Sequence, residues 1–431
     1  MENILSKSVQ DDFTSPFDID LLEQIRSQFW FADHCPYAGE RIYFENAGGS
    51  LTLKSVIERT TEIGAIPDNE HRNNAASKAM SLIVEQGLKD LSTFFGARSG
   101  TVFGGETGSE CLFRLIRSAA LAAPSGGNIV ASSVEHPSTY SATQLWAERT
   151  SRTWIEVPFN TRSGLVSAED YAACVTPDTR IATVIHTNPV TGIVMDIKSI
   201  ICAIRAIAPE CFIIVDGIQH APHGYLEVDE YGADAYAVSM YKVYSKFNNG
   251  YAWVSERMSH IPHEKILGKP SDAWELGSRD PSALAAVSKV IQYLSWLGKQ
   301  VSPADDTRNL LMAAGDAMLA HEHALIARLM NGTAQHRGLL HMPGVKVLGT
   351  HDLRHREGVV SFGVEGRESS DIVAELEKRA IRLHTRSSDI YSGNILRPLG
   401  LDSIARLSLA HYNTPQEVDA FLSAMNKLIG S

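Results

Sequence analysis

The sequence has few cysteines and no long apolar run. Its five cysteines, among 431 residues, have neither the paired spacing of a metal site nor the density of a disulfide scaffold. No stretch reaches the ~18 apolar residues that a membrane-spanning helix needs, and residues 1–20 lack the basic and apolar regions of a secretion signal. Because an odd number of free thiols favours a reducing compartment, we expect a cytoplasmic protein.

Positive charge is also scarce. The formal net charge is -11, with 39 Lys and Arg against 50 Asp and Glu. Basic clusters interleaved with aromatic residues are missing, which argues against nucleic acid and anionic membranes as partners. The charge balance favours a small metabolite instead.

Short apolar segments alternate with helical segments in the first two thirds of the chain. This alternation is typical of an α/β fold in which helices cover a mostly parallel sheet. After Pro281 the sequence predicts long helices and then a smaller α+β portion, so we expect two domains. The predicted strands of the sheet are Thr101–Phe103, Asn128–Ser132, Thr153–Val157, Ile181–His186, Phe212–Val215, Ala235–Val238 and Tyr251–Val254.

Polar residues that could carry chemistry follow five of these strands. They are Thr107, His136, Asn188, Asp216 and Lys242. Ligands in parallel sheets bind beyond the carboxyl ends of the strands. We therefore expect these side chains to form one site.

Lys242 and Asp216 together indicate a specific cofactor. Lys242 closes the segment Ser239–Lys242 after one predicted strand, and Asp216 ends the predicted strand before it. A pyridoxal phosphate enzyme needs a lysine that binds the cofactor as a Schiff base and a carboxylate that stabilises the pyridinium charge. The pair in this order predicts pyridoxal phosphate.

The chain resembles the class V aminotransferase family of fold-type I pyridoxal phosphate enzymes, and most closely its cysteine desulfurase-like branch. Each matching motif alone has an ordinary explanation, such as a turn aspartate or a helix-capping threonine. The ordered set over about residues 40 to 425 is specific. The motifs are Tyr43–Ala47, Gly105–Ser109, Val134–His136, Val215–Gln219, Ser239–Lys242, Arg406–Ser408 and Tyr412–Thr414.

The resemblance implies an architecture. We expect a large pyridoxal phosphate-binding domain over residues 41–300, with a mostly parallel seven-stranded sheet, and a smaller α+β C-terminal domain over residues 301–431. Residues 1–40 would form an N-terminal arm that joins the small domain. The final helix should begin at Thr414–Glu417, which combines a capping box with proline at the first helical position.

The resemblance also implies roles around the cofactor ring. Lys242 would carry the cofactor and move protons, and Asp216 would pair with the pyridine nitrogen. His136 would stack on one face of the ring, as a third catalytic residue. Ile218 would pack under the ring, and Gln219 would reach its phenolic oxygen.

Further residues match the family's phosphate site. Thr107, Gly108 and Ser109 precede an apolar helical segment, and the start of a helix suits an anion such as phosphate. Ser239 and Tyr241 would add hydroxyl groups from the other side. The neighbouring Glu106 is excluded, because relatives commonly have threonine there.

The remaining matches concern the substrate and the partner subunit. Arg406 resembles the arginine that holds the substrate carboxylate with two hydrogen bonds. Asn188 is a candidate cofactor contact, displaced by one position from the family's asparagine. Gly277 and Ser278 align with a segment that reaches the phosphate of the neighbouring subunit, which implies a homodimer with shared active sites.

The sequence departs from the cysteine desulfurases at the sulfur-accepting thiol. No cysteine follows position 211, and within the corresponding segment, His384–Asp389, the counterpart of the thiol is Asp389. Persulfide formation requires a thiolate nucleophile, which a carboxylate cannot replace. In addition, Ser245–Gly250 replaces the family's Gly-Pro-x-Gly at the substrate entrance, so we expect a changed specificity.

These observations predict a pyridoxal phosphate-dependent lyase or transferase that acts at the α-carbon of a small amino acid. The specific hypothesis is β-elimination from a cysteine-like substrate, a carbon–sulfur lyase reaction without a persulfide intermediate. Transamination, epimerisation and decarboxylative carbon–carbon bond formation would use the same residues and remain open. A non-catalytic pyridoxal phosphate-binding sensor is a further alternative. No metal site is predicted.

Overall fold

The computed structural model describes residues 14–430. Residues 1–13, part of the predicted N-terminal arm, and residue 431 lie outside the described residues. The helices are α1 Ile19–Ser27, α2 Lys54–Gly64, α3 Ala75–Phe95, α4 Gly108–Ala122, α5 Pro137–Arg149, α6 Ala168–Cys174, α7 Ile197–Ile207, α8 Val228–Tyr231, α9 Glu256–Ser259, α10 Pro281–Val301, α11 Thr307–Asn331, α12 Ser369–Glu377, α13 Gly393–Leu396 and α14 Pro415–Gly430. The strands are β1 His34–Cys35, β2 Gly39–Glu40, β3 Ile42–Tyr43, β4 Thr101–Gly105, β5 Asn128–Ser132, β6 Thr153–Val157, β7 Thr179–Ile185, β8 Phe212–Asp216, β9 Ala235–Ser239, β10 Gly250–Val254, β11 Val345–Val347, β12 Val359–Val364, β13 Ile381–Arg382, β14 His384–Ser387 and β15 Ser403–Ser408.

The largest sheet has seven strands in the order β4-β10-β9-β8-β7-β5-β6. The strands β5 to β9 pair in parallel, whereas β10 runs antiparallel to both of its neighbours, β4 and β9. The predicted seven-stranded, mostly parallel sheet is confirmed. The predicted strand Ile181–His186 instead covers Thr179–Ile185, and the other strand boundaries agree within one or two residues, as is usual at strand ends.

Both faces of this sheet are covered, which explains its continuous apolar strands. Successive side chains of a strand point to opposite faces. In β8, Ile213 and Val215 belong to the hydrophobic core on one face, and Phe212 and Ile214 to the core on the other. Every residue of β8 is therefore buried, including its last one, Asp216.

A second sheet, in the order β11-β12-β15-β14, lies in the C-terminal part and is antiparallel throughout. It is followed by α14, which begins as predicted. The N–H of Glu417 donates to Thr414 Oγ1 at 3.1 Å, and the N–H of Thr414 donates to Glu417 Oε2 at 2.9 Å. This reciprocal pair is a capping box, so the predicted start of the final helix is confirmed.

The described part of the N-terminal arm contacts the start of α14. Arg26 donates through Nη1 to the carbonyl of Tyr412 at 2.6 Å, and its Nη2 lies 3.1 Å from Glu417 Oε1. One hydrophobic cluster also joins residues from Phe17 to Tyr412 across the expected domain division. The boundaries at residues 40 and 300 therefore stay predictions. Within residues 14–430, no helix has both the length and the apolar character needed to cross a bilayer.

Candidate active site

A cavity of about 250 Å³ lies at the carboxyl ends of β8 and β9. Its lining residues are Thr107, Ser109, His136, Ile185, Pro189, Asp216, Ile218, Gln219, Ser239, Tyr241, Lys242 and Phe247. Only Ile185, Pro189 and Phe247 of this set were not predicted from the sequence. The structure thus brings together side chains that come from widely separated parts of the chain.

Lys242 is held inside this cavity as a buried amine. A short 3₁₀ turn, Met240–Lys242, follows β9, and Lys242 Nζ donates to Gln219 Oε1 at 2.8 Å. Burial, and then the positive charge of Arg406, lower the pKa of Lys242 from 10.5 to about 7, against the opposing attraction of Asp216. A substantial fraction of the amine is therefore neutral near pH 7 and able to act as a nucleophile or base.

A buried hydrogen-bond chain extends behind Lys242. Gln219 Nε2 lies 3.2 Å from His223 Nε2, and His223 Nδ1 lies 2.7 Å from Glu322 Oε2. Burial lowers the pKa of His223, but the charge and hydrogen bond of Glu322 outweigh it and raise the pKa overall. His223 Nε2 can accept from Gln219 Nε2 only when the imidazole is neutral with its proton on Nδ1, toward Glu322, and in that form the Gln219 oxygen faces the lysine.

Asp216 is fixed at the cavity wall by two hydrogen bonds. Its Oδ2 accepts from Thr139 Oγ1 at 3.2 Å and its Oδ1 from the N–H of Ile218 at 3.1 Å. Burial raises the pKa of Asp216, and these bonds together with the charge of Lys242 oppose that rise. A second carboxyl, Glu135, has its pKa raised to about 8 by burial and then by the charge of Asp216. At neutral pH Glu135 therefore mostly holds a proton, and Asp216 is the carboxyl group that lines the cavity.

His136 presents a neutral ring to the cavity. It caps α5, and its Nδ1 lies 2.7 Å from Ser138 Oγ, which restrains the ring. Burial, and then the charges of Lys242 and Arg386, lower the pKa of His136 to about 4. An uncharged imidazole with a fixed orientation suits stacking on an aromatic ligand.

The start of α4 forms another wall and approaches β9 closely. Thr107 caps the helix by accepting from the N–H of Glu110 at 3.1 Å, and the N–H of Gly108 donates to Ser239 Oγ at 3.0 Å. A Cβ at position 108 would lie 2.5 Å from both Ile218 Cδ1 and Ser239 Oγ, so a larger residue would require these side chains to shift. Backbone donors, hydroxyl groups and the helix dipole together make this wall suitable for an anion.

Arg406 lies beside the cavity in the central part of the smaller sheet. Its Nη1 donates to the carbonyl of Pro189 at 2.9 Å, whereas its buried Nε has no hydrogen-bond partner among the described residues. Burial, and then the charge of Arg386, lower the pKa of Arg406 to about 9. No ion pair formed by residues 14–430 includes Arg406. A buried guanidinium in this condition is stabilised by an incoming anion.

Four predicted residues do not line the cavity: Arg406, which lies beside it, and Gly108, Asn188 and Ser278. Gly108 contributes backbone behind the wall. Asn188 uses its side chain within its own loop, accepting from the N–H groups of Val190 and Thr191 and donating to the carbonyl of Val134 at 2.9 Å. Ser278 lies in an exposed loop, where its hydroxyl accepts from Asn69 at 3.4 Å. Cofactor contacts by Asn188 and Ser278 stay predictions.

Four side chains that affect the site by charge or hydrogen bonding were not predicted from the sequence: Glu135, His223, Glu322 and Arg386. His223 had a signal, because it follows Gln219 by four positions in the same segment. Glu322 had none, since it is separated from His223 by 99 positions and lies within a long helix. Glu135 and Arg386 were quoted only as parts of motifs, and the chain pattern does not reveal which charges share a cavity.

A model of the aminotransferase class-V family matches residues 42–421. The chain belongs to the class V aminotransferase family. Members of this family use pyridoxal phosphate, and the chain is accordingly a pyridoxal phosphate-dependent enzyme. The family and cofactor predicted from the motifs are thereby confirmed.

Fungal proteins are among the relatives of this family member. It is 28% identical to the aminotransferase-like protein FGM3 of Gibberella zeae, over 95% of this chain and 98% of that protein. It is 26% identical to the cysteine desulfurase-like protein ustD of Aspergillus flavus, over 95% and 90% of the two chains. Similarity at this level extends over nearly the whole length of both relatives.

Solved structures share the fold. The apo structure of a cysteine desulfurase from Thermococcus onnurineus NA1 has a TM-score of 0.80 at 21% identity and covers 97% of this chain and 100% of that one. The cysteine desulfurase CsdA of Escherichia coli has a TM-score of 0.77 at 20% identity, with 96% and 99% covered. These similarities confirm the fold-type I architecture.

The cavity suits the cofactor of this family. Lys242 supplies a buried amine that is partly neutral, and Asp216 supplies a carboxylate for a pyridinium nitrogen. The hydroxyl groups of Thr107, Ser109 and Ser239 line the cavity at the start of α4, where a phosphate could be bound. The described residues contain no group of His, Cys, Asp and Glu that could bind a metal ion.

The lowered pKa of Lys242 predicts unusual reactivity in the cofactor-free protein. We expect acetylation of Lys242 by acetic anhydride to rise with pH and to level off above about pH 8, because the amine is already neutral there. Mass spectrometry after brief labelling measures this, and the exposed Lys265 gives the reference rate in each sample. A rate that keeps rising steeply beyond about pH 9 would contradict the lowered pKa.

Proposed function

We propose that this class V family member is a homodimeric enzyme that acts at the α-carbon of a small amino acid, with β-elimination from a cysteine-like substrate as its reaction. The observation that carries the proposal is one cavity lined by Lys242 and Asp216. Arg406, which forms no ion pair within residues 14–430, donates a hydrogen bond to the carbonyl of Pro189 in the cavity wall. An amine, a carboxylate and a free guanidinium suit the cofactor and an amino-acid carboxylate.

Different residues would carry out proton transfer and substrate binding in this reaction. The bound cofactor supplies an electron sink for charge that arrives from the α-carbon. Lys242, with a pKa of about 7, can accept and return a proton near neutral pH while Gln219 holds its Nζ. Arg406 would fix the substrate by its α-carboxylate. For cysteine, a proton leaves Cα, sulfur leaves Cβ with the bonding electrons, and water converts the three-carbon product to pyruvate and ammonia.

The absence of a thiol supports elimination over sulfur transfer. Asp389 occupies the exposed loop after β14, and the last cysteine of the sequence is at position 211. A carboxylate cannot receive sulfur as a persulfide. Sulfide released directly into solution is the outcome that needs no such acceptor.

Lys242→Ala should abolish the covalent attachment of the cofactor. Reconstituted wild-type protein is expected to show a visible absorption band that survives desalting, and the variant should lose it, because the alanine has no amine to attach. Lys246→Ala is the matched control, since Lys246 lies in the next loop and is partly exposed. A variant at position 242 that keeps the band would overturn the assignment of the lysine.

The reaction class can be tested with a panel of amino acids. We expect cysteine to yield pyruvate, measured with a coupled dehydrogenase, together with ammonia and sulfide. From cysteine sulfinate the sulfur would leave as sulfur dioxide, and Cβ would keep the bonding electrons and take up a proton to give alanine. Conversion of the cofactor to its amine form would indicate transamination instead, loss of optical activity epimerisation, and carbon dioxide release decarboxylation. A spectral change without any product would indicate a sensor, and failure with every sulfur amino acid would end the lyase hypothesis.

The homodimer is supported by the surface around Ser278. The segment that contains it, residues 260–280, exposes Leu267 at 99% and Leu276 at 44% of their surface, and Phe247, which lines the cavity, is exposed at 66%. Large exposed apolar side chains are typical of a protein interface. In a shared-site dimer, Ser278 of one subunit would serve the phosphate of the other.

Co-expression of two defective variants tests the shared sites. A Ser278→Asp homodimer should hold the cofactor weakly, because the new carboxylate repels phosphate, and a Lys242→Ala homodimer should lack the covalent band. A mixed dimer contains one intact site, so purification through two different tags should recover about half of the wild-type band per dimer. No recovery in a stable mixed dimer would contradict shared sites.

The cytoplasm is the proposed location. All five cysteines are free in the described part of the chain, and free thiols persist in reducing compartments. Cell fractionation that recovered the protein from an oxidising compartment would contradict this location.

A further inference from the structure

The smaller sheet carries a second guanidinium group beside Arg406. In the antiparallel pairing of β14 with β15, His384 lies directly opposite Arg406. Side chains two positions apart on a strand point to the same face. Arg386 therefore shares its face with His384 and is a diagonal neighbour of Arg406.

Arg386 is held in place by the loop that follows it. Its Nε donates to Ser392 Oγ at 2.8 Å and its Nη2 to the carbonyl of Tyr391 at 3.1 Å. Asn394 ties the same loop to the segment before His136, through Nδ2 bonds of 2.9 and 3.0 Å to the carbonyls of Ser133 and Glu135. The loop thus joins the smaller sheet to the cavity wall.

The charge of Arg386 reaches three groups of the site. It contributes to the lowered pKa values of His136, Lys242 and Arg406. Because the charge of Arg386 acts on His136, Lys242 and Arg406, these three residues lie near Arg386. This agrees with the strand pairing and with the hydrogen bonds of the loop. Arg386 is therefore part of the electrostatic environment of the cavity.

No carboxylate of residues 14–430 forms an ion pair with either arginine. Glu45 raises the pKa of Arg406 through space, but its oxygens are engaged by Arg382 at 2.8 Å and His384 at 3.2 Å. Asp389 acts on Arg386 only at a distance, and its Oδ1 accepts from the N–H of Tyr391 at 2.8 Å. The site has two cations available for two anions.

We infer that the substrate is an amino acid whose short side chain ends in a second anionic group, a carboxylate or a sulfinate, which Arg386 binds while Arg406 binds the α-carboxylate. This inference rests on the part of the proposed function in which Lys242 and Arg406 place an amino acid on the cofactor. A terminal carboxylate or sulfinate would leave as CO2 or SO2, and Cβ would keep the bonding electrons and take up a proton, in place of the release of sulfide. A planar guanidinium recognises either anion through paired hydrogen bonds. The cavity of about 250 Å³, shared with the cofactor, limits the side chain to a short one. Arg386 would be the residue that determines specificity.

The test compares two amino acids of nearly equal shape, aspartate and asparagine. Spectral titration of the wild-type holoprotein should give a Kd for aspartate about tenfold to a hundredfold lower than for asparagine, and cysteine sulfinate should behave like aspartate. Arg386→Gln should remove this preference by weakening aspartate, with the Kd of asparagine unchanged within about twofold. Arg386→Lys should keep part of the preference, because it keeps the charge but not the planar fork.

Arg397→Gln is the matched control, because Arg397 lies in the same loop and is exposed. It should leave both dissociation constants unchanged. Equal weakening of aspartate and asparagine by Arg386→Gln would mean that both arginines hold the α-carboxylate and would overturn the inference. Equal affinities in the wild type would overturn it without any variant. If protein reconstituted with pyridoxal phosphate shows no cofactor absorption band, the proposed function itself is refuted. The two failures are therefore distinguishable.

Discussion

The burial of an amine among other charges is the constraint on which the site depends. Lys242 is almost inaccessible to water, and its pKa falls to about 7 because burial and Arg406 disfavour the ammonium form more strongly than Asp216 favours it. Taking ionic groups out of water is costly unless each has a partner. Around this cavity Asp216 supplies a carboxyl group, Glu135 is neutralised by a proton, and two guanidinium groups form no ion pair within residues 14–430. These guanidinium groups can therefore bind anionic ligands.

The fold supplies that balance by joining two sheets at one place. The parallel sheet brings Asp216 and Lys242 to neighbouring strand ends, and α4 adds its amino-terminal end beside them. The antiparallel sheet brings Arg406 and Arg386 from the C-terminal part. Neither sheet alone has both the cofactor-binding and the anion-binding groups, so the chemistry depends on the contact between them. The bond from Arg406 to the carbonyl of Pro189 crosses that contact.

Residues that do not line the cavity hydrogen-bond to those that do, and these bonds keep the site ordered. The chain of Gln219, His223 and Glu322 holds the lysine from behind, and Thr139 holds Asp216. Such outer residues restrict the side chains that touch ligands, so that little ordering remains to be done on binding. Glu322 comes from the long helix α11, which therefore contributes to a site formed mostly by strands.

Local pattern and order along the chain determined much of this protein. Apolar strands ending in polar residues predicted the parallel sheet, the capping box at Thr414 predicted the final helix, and the order of Asp216 and Lys242 predicted the cofactor. These features depend on neighbours in sequence, where backbone periodicity and turn chemistry act. Only the tertiary structure decided that β10 runs antiparallel, that Glu322 reaches His223, and that Arg386 lies on the same sheet face as Arg406. Those outcomes arise from long-range packing and from charges that act through space, which the spacing of residues along the chain does not encode.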